Sequence, residues 1–224
     1  RGQCRLGGSA LAQAWGALGN EAPDADQAAD IKSFFSVVQQ LNRDRKLLAY
    51  HDRSDGGLFA AVCEMLFAGR AGATLELDHA LGGKAAIDFL FNEELGAVIQ
   101  AHKADLDAVR AAFDDAGLGS CFYVIGGLNG DDSLRVTAGG REIFNAARTD
   151  LRRAWSETTY HLQRLRDNAE CAQQEYDRIL DAGDPGLPLW GAQHARDHHG
   201  VPTPCPDARA GIPHCPVCGR EVVK

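Results

Sequence analysis

Tyr50-His51-Asp52-Arg53-Ser54-Asp55-Gly56-Gly57-Leu58 is the stretch on which the reading of this chain turns. A short apolar run, Leu47, Leu48 and Ala49, leads into carboxyl- and hydroxyl-bearing residues. Two glycines then open a segment with Leu58, Ala61, Val62, Met65 and Leu66 at helical spacing. The pattern predicts a buried strand over Leu47 to His51, a loop, and a helix from near Gly57 that Gly69 and Gly72 stop. Carboxylates at a strand end are hard oxygen ligands of the kind Mg²⁺ prefers. The glycines let backbone N–H groups turn inward, and the helix start carries partial positive charge, which suits a phosphate. A plainer reading stands beside it: Ser54 or Asp55 is the N-cap of the helix, worth roughly 1 kcal/mol.

Working outward, Leu11, Ala14, Trp15 and Leu18 predict a short helix between Gly7 and Gly19, packed closely on its neighbours and broken by Pro23-Asp24. Ile31, Phe34, Phe35, Val38 and Leu41 predict an amphipathic helix over Asp26 to Arg45 with both aromatic rings in the core. Ala73 to Asp78 alternates as a strand, Leu81 to Asp88 reads as a Gly-bearing connection, and Ala97 to His102 reads as a second buried strand. Ala104 to Ala116 is a surface helix packed on the sheet through Leu106, Val109, Phe113 and Ala116, closed by Gly117. Phe122 to Ile125 and Leu134 to Thr137 are short strand candidates joined by the Asn129-Gly130-Asp131-Asp132 turn, and Ala138-Gly139-Gly140 makes a hairpin tip. Asp150 to Arg166 is a long helix whose core stripe is Leu151, Trp155, Thr158, Leu162 and Leu165. Arginines 148, 152, 153, 164 and 166 crowd its other surface, and a polar, partly helical segment follows to Asp184. Strands alternating with helices give an α/β fold, or α+β layering, in which helices cover a mixed sheet.

Glu93 and Glu94 invite a metal-ligand reading, but adjacent side chains diverge, so at most one faces a site; turn or helix-end solvation is the reading taken. Cys63 lies on an apolar helix stretch and reads as a small buried hydrophobe rather than a nucleophile.

With 224 residues and 45% hydrophobic content the chain can bury a proper core. A net charge of −8 and the lack of a basic stripe argue against nucleic acid as a partner. No apolar run reaches the roughly 18–20 residues of a membrane span, and the start has no signal pattern, so a cytoplasmic protein with reduced thiols is expected.

The motifs carry a resemblance. His-Asp-Arg-Ser-Asp-Gly-Gly (His51 to Gly57), Glu64-Met65-Leu66-Phe67-Ala68-Gly69 and Phe91-Asn92-Glu93-Glu94-Leu95-Gly96-Ala97-Val98 resemble the phosphoribosylformylglycinamidine synthase family of purine biosynthesis. So do Leu6-Gly7-Gly8-Ser9-Ala10-Leu11-Ala12-Gln13, Trp155-Ser156-Glu157-Thr158-Thr159 and Gln163 to Asn168, and the likeness runs from Arg1 to about Leu187. It implies the C-terminal domain of the superfamily shared with aminoimidazole ribonucleotide synthetase. It also implies an ATP- and Mg²⁺-dependent carbon–nitrogen ligase that takes its ammonia from glutamine. By the same likeness Asp52 matches the family's magnesium-binding aspartate and Ser54 its ATP-contacting serine. With Arg1 in first place and Met65 the lone methionine, the resemblance implies a fragment, inactive alone. Its partners would be an upstream synthetase half and a glutaminase domain of the same enzyme, and no cysteine here stands in a glutaminase nucleophile elbow. Selenophosphate synthetase and thiamine-phosphate kinase can share the loop, but not the flanking runs.

At Pro188 the composition breaks: residues 188–224 hold six of the eight prolines, four of the eight histidines and three of the seven cysteines. Residues 1–187 are therefore read as the synthetase-like domain and 188–224 as an irregular tail. Cys215-Pro216-Val217-Cys218 is a single zinc-knuckle-like pair, with Cys205, His214, His198 or His199 to complete four ligands. Two readings stand for this tail, an altered frame or misjoined end first and a zinc-binding or interaction module second.

Overall fold

In the computed structural model, which describes residues 3–181, the elements run α1 (Ala10–Ala14), α2 (Ala28–Arg43), β1 (Ala49–Asp52), α3 (Gly57–Gly69), β2 (Gly72–Glu76), α4 (Asp78–Leu81) and α5 (Ala86–Phe91). They continue with β3 (Ala97–Gln100), α6 (Leu106–Asp115), β4 (Gly126–Asn129), β5 (Ser133–Ala138), β6 (Arg141–Ala147), α7 (Arg148–Arg166) and α8 (Ala169–Arg178). A four-stranded mixed sheet has the order β4-β2-β5-β6, and β1 pairs antiparallel with β3 in a separate two-stranded sheet. This is the layered α/β arrangement that the alternation predicts.

Only β2 and β5 are parallel, and a parallel pair needs a long crossover. Here the crossover contains α4, α5, β3, α6 and β4. The Asn129 to Asp132 turn therefore does not close a hairpin: β4 pairs with β2, and β2 lies between β4 and β5. The turn crosses the head of β2 at Gly72, where a Cβ would stand 2.2 Å from Asn129 Oδ1 and 2.6 Å from Ser133 N. Asn129 secures the crossing by donating to Thr74 Oγ1 and to the Ser133 carbonyl, each at 3.1 Å. The strand expected at Phe122 to Ile125 begins only at Gly126. At Gly139-Gly140, both residues at positive φ, the β5–β6 hairpin is as expected.

The main core lies between α3 and the mixed sheet, with Leu77, Leu134 and Val136 fully buried. Leu58, Ala61, Val62, Cys63 and Leu66 of α3 are all buried, because this helix is apolar around most of its circumference and has the sheet, α5, α7 and the β1–β3 pair around it. Its C-cap is Arg70 in the left-handed region, where a glycine was expected. A second core joins Val37, Val38 and Leu41 of α2 to Val109 and Phe113 of α6. A third stacks Tyr160 of α7 on Tyr176 of α8, ring centroids 4.1 Å apart and 6° from parallel.

Several periodicity-based assignments change. β1 starts two residues later than expected and is half-exposed, as suits a strand of a two-stranded sheet. β3 is likewise only partly buried. α1 is five residues long, leaving Trp15 80% exposed, and Phe35 faces solvent while Val37 takes its place in the core. The 81–88 connection holds the end of α4 and the start of α5. On α7 the apolar stripe is covered only at its start, where Leu151 meets the main core and Trp155 the Phe67 ring. α8 folds back over Tyr160 on the other side, so Leu162 and Leu165 stay exposed. Arg148 is instead the buried residue of the first turn, held bidentately by Asp132 at 2.6 and 2.9 Å.

Truncation separates the two leucines. Leu134→Ala, at a fully buried site, is expected to cost about 2–5 kcal/mol. Leu165→Ala, at 87% exposure, should stay within about 0.5 kcal/mol. Denaturant titration of both variants checks this, and equal losses would return Leu165 to the core.

Candidate functional site

Asp52 ends β1 with its side chain 66% exposed, and Ser54, two residues into the loop, turns its hydroxyl back to donate to Asp52 Oδ2. That donation, followed by a backbone hydrogen bond, holds the Asp52 carboxyl below the usual aspartate range despite some desolvation. The strand end thus presents an ionised oxygen to solvent at neutral pH. Arg53 points the other way: its N–H donates to the Gly96 carbonyl at 2.9 Å and its Nε to the Glu94 carbonyl at 2.8 Å. Burial pushes its guanidinium below the ordinary value, though a guanidinium stays charged.

The glycines act differently from the expected phosphate cradle. Gly56 and Gly57 have φ of +80° and +66°, a conformation that L side chains resist. A Cβ on Gly57 would lie 2.6 Å from the Asn92 carbonyl oxygen and 2.7 Å from that of Leu90. The loop is therefore pressed against the end of α5. Both glycine N–H groups are spent inside the protein, Gly56 N on Glu93 Oε1 and Gly57 N on the Ser54 carbonyl. The plainer reading also changes: α3 is capped by Gly56, with no side-chain bond from Ser54 or Asp55.

Glu93 and Glu94 are structural, not solvated. Asn92, fully buried, donates to the Asp88 and Phe89 carbonyls and accepts from Glu94 N–H, which fixes the turn after α5. Glu93 Oε1 accepts from Gly56 N–H and from Ala10 N–H, both at 2.8 Å. Glu94 is buried against Arg5, whose Nε reaches it at 2.7 Å while the same guanidinium holds Asp26 at 3.1 Å. Burial alone would raise the Glu94 carboxyl, but the Arg5 hydrogen bonds, with the charges of Arg5 and Arg53, outweigh it and keep it below the usual glutamate range. Ser9, buried, caps α1 by accepting from Ala12 N–H. Three motifs far apart in sequence, around Leu6 to Ser9, His51 to Gly57 and Asn92 to Gly96, thus meet at one place.

A fourth connection leads away from the loop. His51 Nε2 lies 3.0 Å from Glu64 Oε2, and Glu64 Oε1 accepts from Trp155 Nε1 at 3.0 Å. The other ring nitrogen of His51 is 2.6 Å from the Asp52 carbonyl. Cys63, one residue before Glu64, has its thiol pushed up to about 12 by burial and is no nucleophile.

Asp52 offers one hard oxygen ligand of the type Mg²⁺ takes. Among the described residues no group of three or more His, Cys, Asp or Glu side chains is placed to hold an ion. Cys205, His214, Cys215 and Cys218 lie outside the described residues. No helix among the described residues is long and apolar enough to cross a membrane.

The sequence profile of the family described as AIR synthase related protein, C-terminal domain, matches residues 2–139. The chain belongs to this family. The match runs from before α1 to the tip of the β5–β6 hairpin and takes in all three converging motifs. Among solved structures, PurLQS from Thermotoga maritima is 15% identical over 64% of this chain and 24% of its own length, with a TM-score of 0.51. T. maritima PurL complexed with FGAR is 17% identical over 54% of this chain and 20% of its own, TM-score 0.49; the PurL complex with ATP is 16% identical over 52% and 20%, TM-score 0.47. At these identities the likeness is one of fold, and this AIR-synthase-related chain spans 20% to 24% of the length of those proteins.

Of the residues singled out in the sequence, Asp52 and Ser54 are brought together at a strand end and loop. Glu64, Trp155 and Arg5 carried no signal of their own beyond lying in or beside the quoted runs. Glu94 gives a test. Its ionised form is favoured in the fold, so the Arg5–Glu94 contribution is fully present above the ordinary glutamate pKa of about 4.3 and is lost as pH falls through the lower folded value. Arg5→Gln should lower the melting temperature most at neutral pH, and the gap to the unaltered chain should close as Glu94 protonates. Thermal melts across that range check it, and a gap independent of pH would show that the pair does not set the stability of this corner.

Proposed function

We propose that this chain is the ATP-handling C-terminal domain of a phosphoribosylformylglycinamidine synthase, with Asp52 as a ligand to nucleotide-bound Mg²⁺ and Ser54 at the nucleotide. The observation that supports this most is the meeting of the three motifs inside the family match: an exposed, ionised Asp52 stands on a loop locked from beneath by Glu93 and Glu94. In such an enzyme ATP activates the amide oxygen of formylglycinamide ribonucleotide, and ammonia released from glutamine then displaces the phosphate to give the amidine. Mg²⁺, when bound, would neutralise charge that develops on the transferred phosphoryl group. Asp52 would hold that ion through one oxygen. Ser54 donates to the Asp52 carboxylate and so favours its ionised form further, and the Gly57 contact with α5 keeps the backbone from drifting.

Asp52 and Ser54 are one wall of a site, and phosphoryl transfer is sensitive to misplacement by about 1 Å. The rest of that wall set, an upstream synthetase half and a glutaminase domain, belongs to the same proposal. The location that goes with this activity is the cytoplasm. Weak Mg-ATP binding is the expected activity of the 224-residue chain alone. Asp52→Asn should weaken that binding about tenfold or more, the scale of one charge-assisted contact of roughly 1.5–3 kcal/mol. Supplied with formylglycinamide ribonucleotide, Mg-ATP and ammonium salt, the chain should form no amidine. Turnover by the chain alone would overturn the division of the site between domains, and unchanged binding in Asp52→Asn would overturn the ligand role.

A further inference from the structure

The run Trp155 to Thr159 and the residue Glu64 have no part in the reading above, yet the structure joins both to the candidate loop. Glu64 sits in the second turn of α3, and its two carboxylate oxygens are used on opposite sides. Oε2 faces His51 Nε2 at 3.0 Å and Oε1 accepts the Trp155 indole N–H at 3.0 Å. The Trp155 ring, 61% exposed, packs on one side against Phe67, one turn further along α3, with centroids 5.9 Å apart. His51, held at one ring nitrogen by Glu64, reaches the Asp52 carbonyl at 2.6 Å with the other.

We propose that Glu64 is a positioning residue for Asp52, aimed by Trp155 of α7 and acting through His51 at the end of β1. This rests on the reading of Asp52 as a ligand of nucleotide-bound Mg²⁺. Asp52 itself is exposed, and among the described residues its carboxylate is at hydrogen-bonding distance from Ser54 only, so its direction depends on the backbone that carries it. β1 has β3 as its only strand partner among the described residues, which leaves its far side without a ladder to fix it. The His51–Glu64–Trp155 chain instead restrains the strand from one face, through a side chain, from α3 and α7. Partners of this outer kind orient the groups that touch a metal, and their loss is felt at the metal although they never touch it. Ser54 and Glu93 hold the loop after Asp52; Glu64 holds the strand before it.

The test uses the full 224-residue chain with ¹⁵N label at one fixed pH, and the variants Glu64→Ala, Glu64→Gln, Trp155→Phe and Asp52→Asn, each with its melting temperature recorded. Trp155→Phe keeps an aromatic ring at this position and removes the indole N–H together with the fused ring, and its melting temperature reports whether folding is retained. The expected result is that the His51 ring nitrogens shift in Glu64→Ala and also in Trp155→Phe, although Trp155 does not touch His51. The Trp155 indole proton should move in Glu64→Ala and stay close to its place in Glu64→Gln, which retains an acceptor oxygen. Mn²⁺-ATP is the binding probe, since its paramagnetism broadens the Ser54 amide even at a weak site. The concentration for half broadening should rise on the order of tenfold in Glu64→Ala, the lower end of the loss seen for outer partners at metal sites. Trp155→Phe should raise it less, and the double variant should be no weaker than Glu64→Ala, because residues of one network are not additive. His51 nitrogens that stay in place in both Glu64→Ala and Trp155→Phe overturn the inference. So does weakened binding in Asp52→Asn with none in Glu64→Ala. Equal broadening in Asp52→Asn and the unaltered chain, or no broadening in either, overturns the ligand reading of Asp52 and the inference with it.

Discussion

One oxygen of Glu93 accepts the backbone N–H of Gly56 and the backbone N–H of Ala10, and the arrangement of the site depends on it. Both donors belong to helix starts, Gly56 capping α3 and Ala10 opening α1, where backbone N–H groups lack partners within their own helix. Two such ends brought side by side present donors and partial positive charge to each other. A carboxylate between them removes the conflict, and each hydrogen bond to a charged group contributes about 1.5–3 kcal/mol. Removing it would leave α1 and the glycine turn with nothing to keep them adjacent at this point.

The neighbouring residue extends the same logic. Glu94 carries the Arg5 guanidinium, which in turn holds Asp26, so the N-terminal segment is tied down by charges that need one another in a buried corner. Removing Arg5 would strip the buried Glu94 carboxylate of the hydrogen bonds that offset its burial, which is costly. The Glu94 carbonyl meanwhile receives Arg53, from the very loop that carries Asp52 and Ser54. Arg53 and the two glycine N–H groups of this loop are thus satisfied inside the protein. What remains turned outward is the Asp52 carboxylate and the Ser54 hydroxyl that donates to it. A loop whose two glycine N–H groups are consumed internally has neither of them left to cradle a phosphate.

Support from below comes from α3. A helix apolar on most sides is stable only with packing on most sides, and α3 has the mixed sheet, α5, α7 and the β1–β3 pair around it. Its one polar side chain of consequence, Glu64, emerges where α7 and β1 come close, and there it connects Trp155 with His51. The long arginine-rich helix is therefore joined to the site by its tryptophan, while its arginines serve local ends: Arg148 grips Asp132, and Arg153 lies over the Tyr176 ring at 4.3 Å.

Features that depend on near neighbours in the chain can be read from local pattern. The strand, loop and helix around Asp52, the α3 stripe, the Gly139-Gly140 hairpin tip and the long α7 were legible, because periodicity and turn chemistry act over a few residues. Asp52 and Ser54 were legible as a pair for the same reason, being two residues apart. Packing decided which apolar faces are covered: Phe35, Leu162 and Leu165 fit a helical stripe, yet each is exposed, since a stripe specifies a face and not the presence of anything opposite it. It alone decided that β2 separates β4 from β5, through a backbone crossing that only Gly72 permits. And it alone decided that Glu93 and Glu94 are braces rather than a solvated turn, because their partners are Ala10, 83 residues away, and Arg5, 89 residues away. Contacts across such separations are set by how the layers pack, which no local pattern encodes.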